Sequence, residues 1–182
     1  INKQDKQQLL YAVEYITKKF QKTTTAIIKY HPRREGYMPS AIIKDIKSRN
    51  PKIVLIDTLN QPNWNASDYW NIAIQFPSVK FLFCHAGGYD ILEFIKMAQF
   101  QKNIWIDFSF TQEYFGCCDS NNILPIVCDT IKFAMKHPSI SKYILFGSDY
   151  PMNSQDLQKK LYDNKEGERF LVSNFLELIK DL

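Results

Sequence analysis

Five short apolar runs in this chain each end at a side chain that can do chemistry. His31 follows Ala26 to Tyr30, Asp57 closes Lys52 to Ile56, and His85 follows Val79 to Cys84. Asp107, with Ser109 and Thr111, ends Asn103 to Phe108, and Asp149 lies just past Tyr143 to Phe146. Imidazoles and carboxylates gathered in a dry mouth are donors suited to zinc, with manganese or iron as alternatives. A catalytic divalent metal needs about three protein ligands and an open position, where bound water ionises near neutral pH. His85 and Asp149 are the leading candidates for catalysis and metal binding, with Asp57 as a third metal ligand. Each also has a plainer role. His85 before Ala86-Gly87-Gly88 could start a turn or helix, His31 before Pro32 could bond within a loop, and Asp57 or Asp149 could cap a helix.

The elements that must position these residues follow from hydrophobic spacing. The apolar runs read as strands ending near residues 30, 56, 84, 108 and 146. Helical periodicity marks Lys3 to Lys22, a helix capped by Ser40, another capped by Ser67 over Asp68 to Gln75, one from Ile91 to about Phe100, and Leu124 to Lys136. His137-Pro138 stops the last of these, Arg33 to Pro39 reads as a loop, and further helical stretches fall near Ser154 to Tyr162 and Glu166 to Leu182. Alternating strands and helices predict an α/β fold of repeated βα units around a parallel sheet. A (βα) barrel and an open doubly wound sheet both satisfy that pattern. The open sheet concentrates its site at one switch point and usually carries a Gly-rich first turn, whereas Gly87-Gly88 is followed by Tyr89-Asp90. A barrel draws one side chain from each of several strand ends, which is the pattern here.

Composition narrows the classes of function. The 182 residues carry a net charge of +4 from scattered lysines, with Lys18-Lys19 and Arg33-Arg34 the densest spots, so neither a nucleic-acid nor a membrane partner is expected. No apolar run approaches the roughly 18 residues of a membrane span. The four cysteines, at 84, 117, 118 and 128, match no zinc or redox spacing. Reduced thiols and a cytoplasmic setting are the expectation, with Cys84 buried in its strand.

The segments Val79-Lys-Phe-Leu-Phe-Cys-His-Ala-Gly-Gly88, Asn103-Ile-Trp-Ile-Asp-Phe-Ser109 and Ile144-Leu-Phe-Gly-Ser-Asp-Tyr-Pro151 resemble the last three strands of the amidohydrolase-related family, TIM-barrel metal-dependent hydrolases and decarboxylases. Ile27-Ile-Lys-Tyr-His-Pro32 resembles the fourth strand of that barrel, and Lys52 to Thr58 falls at the fifth. The resemblance implies that Asp149 binds the metal and that His85 is a catalytic residue or ligand. It also places Lys29 and His31 near the fourth-strand position, where some relatives carry a modified lysine. Two departures accompany it. The family's first strand carries a His-x-His pair that this chain lacks, and the fifth-strand histidine is Asp57 here. Residues 1–182 are therefore expected to form a single amidohydrolase-like domain, the C-terminal part of an incomplete barrel of about five βα units. Its open edges would call for missing residues or a partner, a homo-oligomer among them. The implied activity is metal-dependent hydrolysis of an amide- or ester-like bond, or decarboxylation, of a small-molecule substrate, with Arg33 or Arg34 available to hold an anion. The alternative is a metal-free, non-catalytic barrel relative that serves as a binding or scaffold protein.

Overall fold

The computed structural model describes residues 26–111, 114–115, 124–147, 170, 173–180 and 182. The expected helices at Lys3 to Lys22 and Ser154 to Tyr162, and Asp149 itself, lie outside them. Five strands form one sheet: β1 (Ile27–Tyr30), β2 (Ile53–Asp57), β3 (Lys80–Cys84), β4 (Ile104–Asp107) and β5 (Ile144–Leu145). They stand in the order β1-β2-β3-β4-β5 and all four pairings are parallel. A doubly wound sheet reverses its strand order at a switch point. Here each strand pairs with the next in sequence, so the succession is that of a TIM barrel.

Between the strands lie α1 (Pro32–Glu35), α2 (Pro39–Arg49), α3 (Ala66–Gln75), α4 (Ile91–Phe100), α5 (Leu124–Lys136) and α6 (Pro138–Ser141), with α7 (Asn174–Ile179) after β5. The expected loop at Arg33 to Pro39 contains α1, which Gly36 ends in the left-handed region at φ 68°. Pro39 opens α2 in the position where a missing N–H is harmless, so Ser40 lies inside that helix and is not its cap. The α3 cap is Asn65, not Ser67: Asn65 Oδ1 accepts from Asp68 N–H while the Asp68 carboxylate accepts from Asn65 N–H. Of the stretch Glu166 to Leu182, the described helix is α7 alone.

Side-chain alternation gives the sheet two apolar faces. Ile28, Tyr30, Val54, Ile56, Phe81, Phe83, Ile104 and Ile106 pack outward against the helices, where α4 contributes Phe94, Ile95, Met97 and Ala98. Ile53, Leu82, Cys84, Trp105 and Leu145 face inward and meet Leu178 and Ile179 of α7. Lys80 Nζ, at the start of β3, donates to the carbonyls of Glu177 and Leu178 at 3.0 and 2.9 Å, tying the C-terminal turn of α7 to the sheet. The same alternation places Lys29, Asp57 and Asp107 on the inward face, at or near the C-terminal ends of their strands.

Asn103, just before β4, is a buried staple. Its side-chain amide donates to the carbonyls of Ala73, Phe76 and Val79 at 3.0–3.1 Å, closing the turn between α3 and β3. Asn103→Ala is expected to destabilise the fold by about 1–3 kcal/mol, because buried carbonyls lose their donor. Urea denaturation measures it, and a midpoint unchanged from wild type would show that water replaces the amide. No helix among the described residues is long and apolar enough to cross a membrane.

Candidate active site

Asp57 is the hub of a buried polar cluster at the C-terminal ends of β1 to β4. Its Oδ2 faces His31 Nε2 at 3.1 Å, His85 Nε2 at 3.2 Å and Arg33 Nη2 at 3.8 Å. Its Oδ1 accepts from Leu59 N–H at 3.2 Å. Two of the three histidines in the chain thus converge on one carboxylate oxygen from neighbouring strand ends. The third, His137, lies at the α5–α6 junction beside Ser139 Oγ at 2.9 Å.

Strict strand alternation would turn His85 away from Asp57, because Cys84 already faces inward. The backbone prevents this by leaving the strand conformation at His85, whose φ is 69°. Ala86, Gly87 and Gly88 follow with φ of 42°, 77° and 59°. Left-handed backbone in a non-glycine residue costs on the order of 1–3 kcal/mol and persists only where neighbours hold it. Here they do. Asp107 Oδ1 accepts from His85 N–H at 3.1 Å, and Thr111 Oγ1 donates to the His85 carbonyl at 3.2 Å. Thr58 Oγ1 donates to the Cys84 carbonyl at 2.5 Å and accepts from Gly87 N–H at 2.9 Å. Asp107 is held in turn by Ser109 N–H at 2.9 Å and by the Ser109 hydroxyl. Gly147, after β5, allows this packing, since a Cβ there would lie 3.0 Å from both the Asp107 carboxyl carbon and Ser109 Cβ.

The His85 ring has an acceptor on each side. Nδ1–H donates to the Ser109 carbonyl at 2.7 Å, which leaves Nε2 to face the Asp57 carboxylate. A neutral ring would point a lone pair at that carboxylate, so the geometry favours the imidazolium. Burial opposes the charge, but the Asp57 bond, the Asp107 charge and the Ser109 carbonyl outweigh it and raise His85 from 6.5 to about 9. Burial also pushes Asp57 upward, and His85, His31 and Arg33 together bring it below its usual value of 3.8.

These shifts predict a pH dependence for the metal-free protein. His85 has a raised folded-state pKa, so its stabilising contribution is complete below about 6.5 and is lost as pH climbs through about 9. Asp57 has a depressed one, so its contribution is present above about 3.8 and disappears only at more acid pH. Unfolding free energy is expected to fall by roughly 3 kcal/mol between pH 6.5 and 10 through His85. Denaturant melts across that range measure the slope, which His85→Gln should abolish.

The other expected site residues sort themselves around this hub. Arg33 lies beside Asp57 with its side chain 42% exposed, open to a ligand. Lys29 is exposed on the inward face, paired in register with Leu55. His31 is an Asp57 partner as well as a loop residue, and its Nδ1 is buried without a partner among the described residues. Asp107, Ser109 and Thr111 were legible as polar strand-end residues, but nothing in their spacing revealed that they hold the His85 backbone. Cys84 is buried in its strand as expected, and burial pushes its thiol well above the usual range. Among the described residues no group of three His, Cys, Asp or Glu side chains is arranged to hold a metal ion. His31, Asp57 and His85 have suitable donor atoms, yet both imidazole Nε2 atoms contact the same Asp57 oxygen at hydrogen-bond lengths. These described residues therefore do not by themselves fit a divalent metal.

An amidohydrolase family model matches residues 58–169, a span that includes His85, Asp107, Ser109 and Asp149 and begins just after Asp57. No curated protein matches the sequence. Among solved structures, the crystal structure of an uncharacterized TIM-barrel protein from Bordetella bronchiseptica superposes with a TM-score of 0.60 at 15% identity. The match covers 90% of this chain and 60% of that one, so the chain spans less than two thirds of the barrel it resembles. The family match extends over more than half of the sequence, and the strand order agrees with it: this chain belongs to the amidohydrolase family, a group of TIM-barrel enzymes of the hydrolase and decarboxylase type.

Proposed function

We propose that the protein is a hydrolase that cleaves an amide- or ester-like bond in a small polar substrate, with His85 as the proton-transferring residue and Asp57 as the carboxylate that positions and charges it. The observation that carries this reading is the His85 ring itself, buried at a barrel-strand end and fixed by acceptors on both nitrogens. A buried, oriented imidazolium is a general acid at neutral pH. In the hydrolytic cycle a water oxygen bonds to the substrate carbonyl carbon and the bond to the leaving nitrogen or oxygen breaks. The proton held between His85 Nε2 and Asp57 Oδ2 passes to that leaving atom, and the proton released by the water restores the pair. His31 shares the Asp57 oxygen and limits the freedom of the carboxylate, while Arg33 and Lys29 are the cations placed to hold an anionic substrate group. The same imidazolium could instead protonate the carbon left behind when a carboxylate departs as carbon dioxide.

A divalent metal, zinc by the family resemblance, would supply Lewis acidity and an ionised water when bound. Asp149, the ligand that the resemblance offers, lies outside the described residues; His85, with both ring nitrogens engaged, and Asp57, where the family has a histidine, keep the proton-handling roles. Two measurements test the proposal together. A panel of small amides, esters and carboxylic acids should give turnover that falls by about 10²- to 10⁴-fold in His85→Gln. Elemental analysis of chelator-free protein should find near-stoichiometric metal that is lost in Asp149→Asn. No metal even after incubation with excess Zn²⁺ or Mn²⁺ would overturn metal dependence. Absence of turnover across the panel would favour a binding or scaffold role.

A further inference from the structure

Beside the Asp57–His85 cluster, and sharing Thr58 with its edge, is a cavity of about 310 Å³ between the loop after β2, the turn after β3 and α3. Its walls are aromatic. Trp64 and Tyr69 are buried, with ring centroids 4.8 Å apart. Tyr89 and Tyr114 meet edge to face at 5.2 Å, and Tyr89 is 59% exposed. The first pair forms the floor and the second the mouth. Three polar atoms on the lining residues are buried with no hydrogen-bond partner among the described residues: Gln61 Oε1, Trp64 Nε1 and Tyr69 Oη. They are sealed behind the cavity wall, so a ligand in the cavity meets ring surfaces and not these atoms. Among the described residues, Asp90 is the charged side chain that lines it. Beyond burial, Asp57, Asp68 and Asp90 all push the Tyr69 phenol upward, with only Arg33 opposing.

We propose that this cavity is a subsite for an ammonium-bearing arm of the substrate, a proposal that rests on the hydrolase reading and adds a substrate class to it. Aromatic faces attract a cation through their quadrupoles, and the nearby carboxylates add charge complementarity. An anionic arm would meet Asp90 and, among the described lining residues, no base, and an apolar arm would leave that carboxylate unmatched.

The test compares the full chain's binding of N-acetylputrescine with that of N-butylacetamide, which has the same amide and lacks the ammonium, by calorimetric titration. The cation is expected to bind about tenfold tighter or more. Asp90→Asn and Tyr89→Leu should each reduce that preference without unfolding the protein, since both change exposed groups. Equal affinity for the two amides, or a preference unaffected by both variants, overturns the subsite. The hydrolase reading falls separately: a cation preference with no cleavage of either amide leaves the subsite standing alone. Cleavage of both without a preference removes the subsite only.

Discussion

Asp57→Ala is expected to destabilise the fold by about 3–5 kcal/mol and to abolish turnover. The carboxylate is 3% exposed and serves two imidazoles, one guanidinium and a backbone N–H. Removing one partner of a buried ion pair costs far more than the pair contributes net, because the remaining charge is stranded. His85 is that charge. Without Asp57, burial is no longer outweighed to the same degree, so the ring is expected to shed its proton at a lower pH. The loss should therefore be largest near pH 5.5, where the ring must remain charged or pay desolvation, and smallest above pH 9, where the wild-type protein has itself lost the pair. Asp57→Asn keeps an oxygen facing the rings and should lose less stability, yet still reduce turnover by about 10²-fold or more through loss of charge. Denaturant melts at the two pH values check the first expectation, and a pH-independent loss would contradict the ion-pair account.

Gly87→Ala is expected to cost about 2–5 kcal/mol, the sum of a left-handed backbone penalty and overpacking. At φ 77° an alanine is strained whatever the space around it, and here there is none: its Cβ would lie 2.2 Å from Cδ2 of the buried Phe94. Phe94 cannot yield freely, because Tyr69 and Phe83 pack against its ring at 5.4 Å. The strain has a direct route to the Asp57–His85 cluster, since Gly87 N–H is bonded to Thr58 Oγ1, next to Asp57. Activity is expected to fall along with stability. The double variant Gly87→Ala, Phe94→Leu should recover part of both by opening room for the methyl group. Thermal melts of the single and double variants measure this, and a Gly87→Ala protein as stable as wild type would contradict the packing.

The sequence was most informative where the physics is local. Apolar runs of strand-forming residues located all five strands to within about a residue or two, and polar residues at their ends located Asp57 and His85. The choice of a barrel over a doubly wound sheet came from that same spread of polar residues over several strand ends, and the consecutive parallel order agrees with it. What escaped was set by tertiary geometry. Nothing local announces that His85 and Ala86 adopt positive φ, because the conformation is held by Asp107, Thr111 and Thr58 from other strands. The plain reading of His31 as a loop residue missed its contact with Asp57, which exists only because β1 and β2 pair in register. Ser40 and Ser67 are reasonable caps by type, yet Pro39 and Asn65 come first in the chain and set the helix starts. The aromatic cavity was invisible for the same reason, since Trp64, Tyr69, Tyr89 and Tyr114 have no spacing that brings them together before the fold does.

The central claim is that Asp57 holds His85 as a buried imidazolium ready to give up a proton. NMR titration of the His85 ring in the metal-free protein tests it most directly, with Asp57→Asn as the comparison. The account predicts a midpoint near 9 in wild type that drops by more than one unit in the variant. A wild-type midpoint at or below 6.5, unchanged by Asp57→Asn, would contradict it.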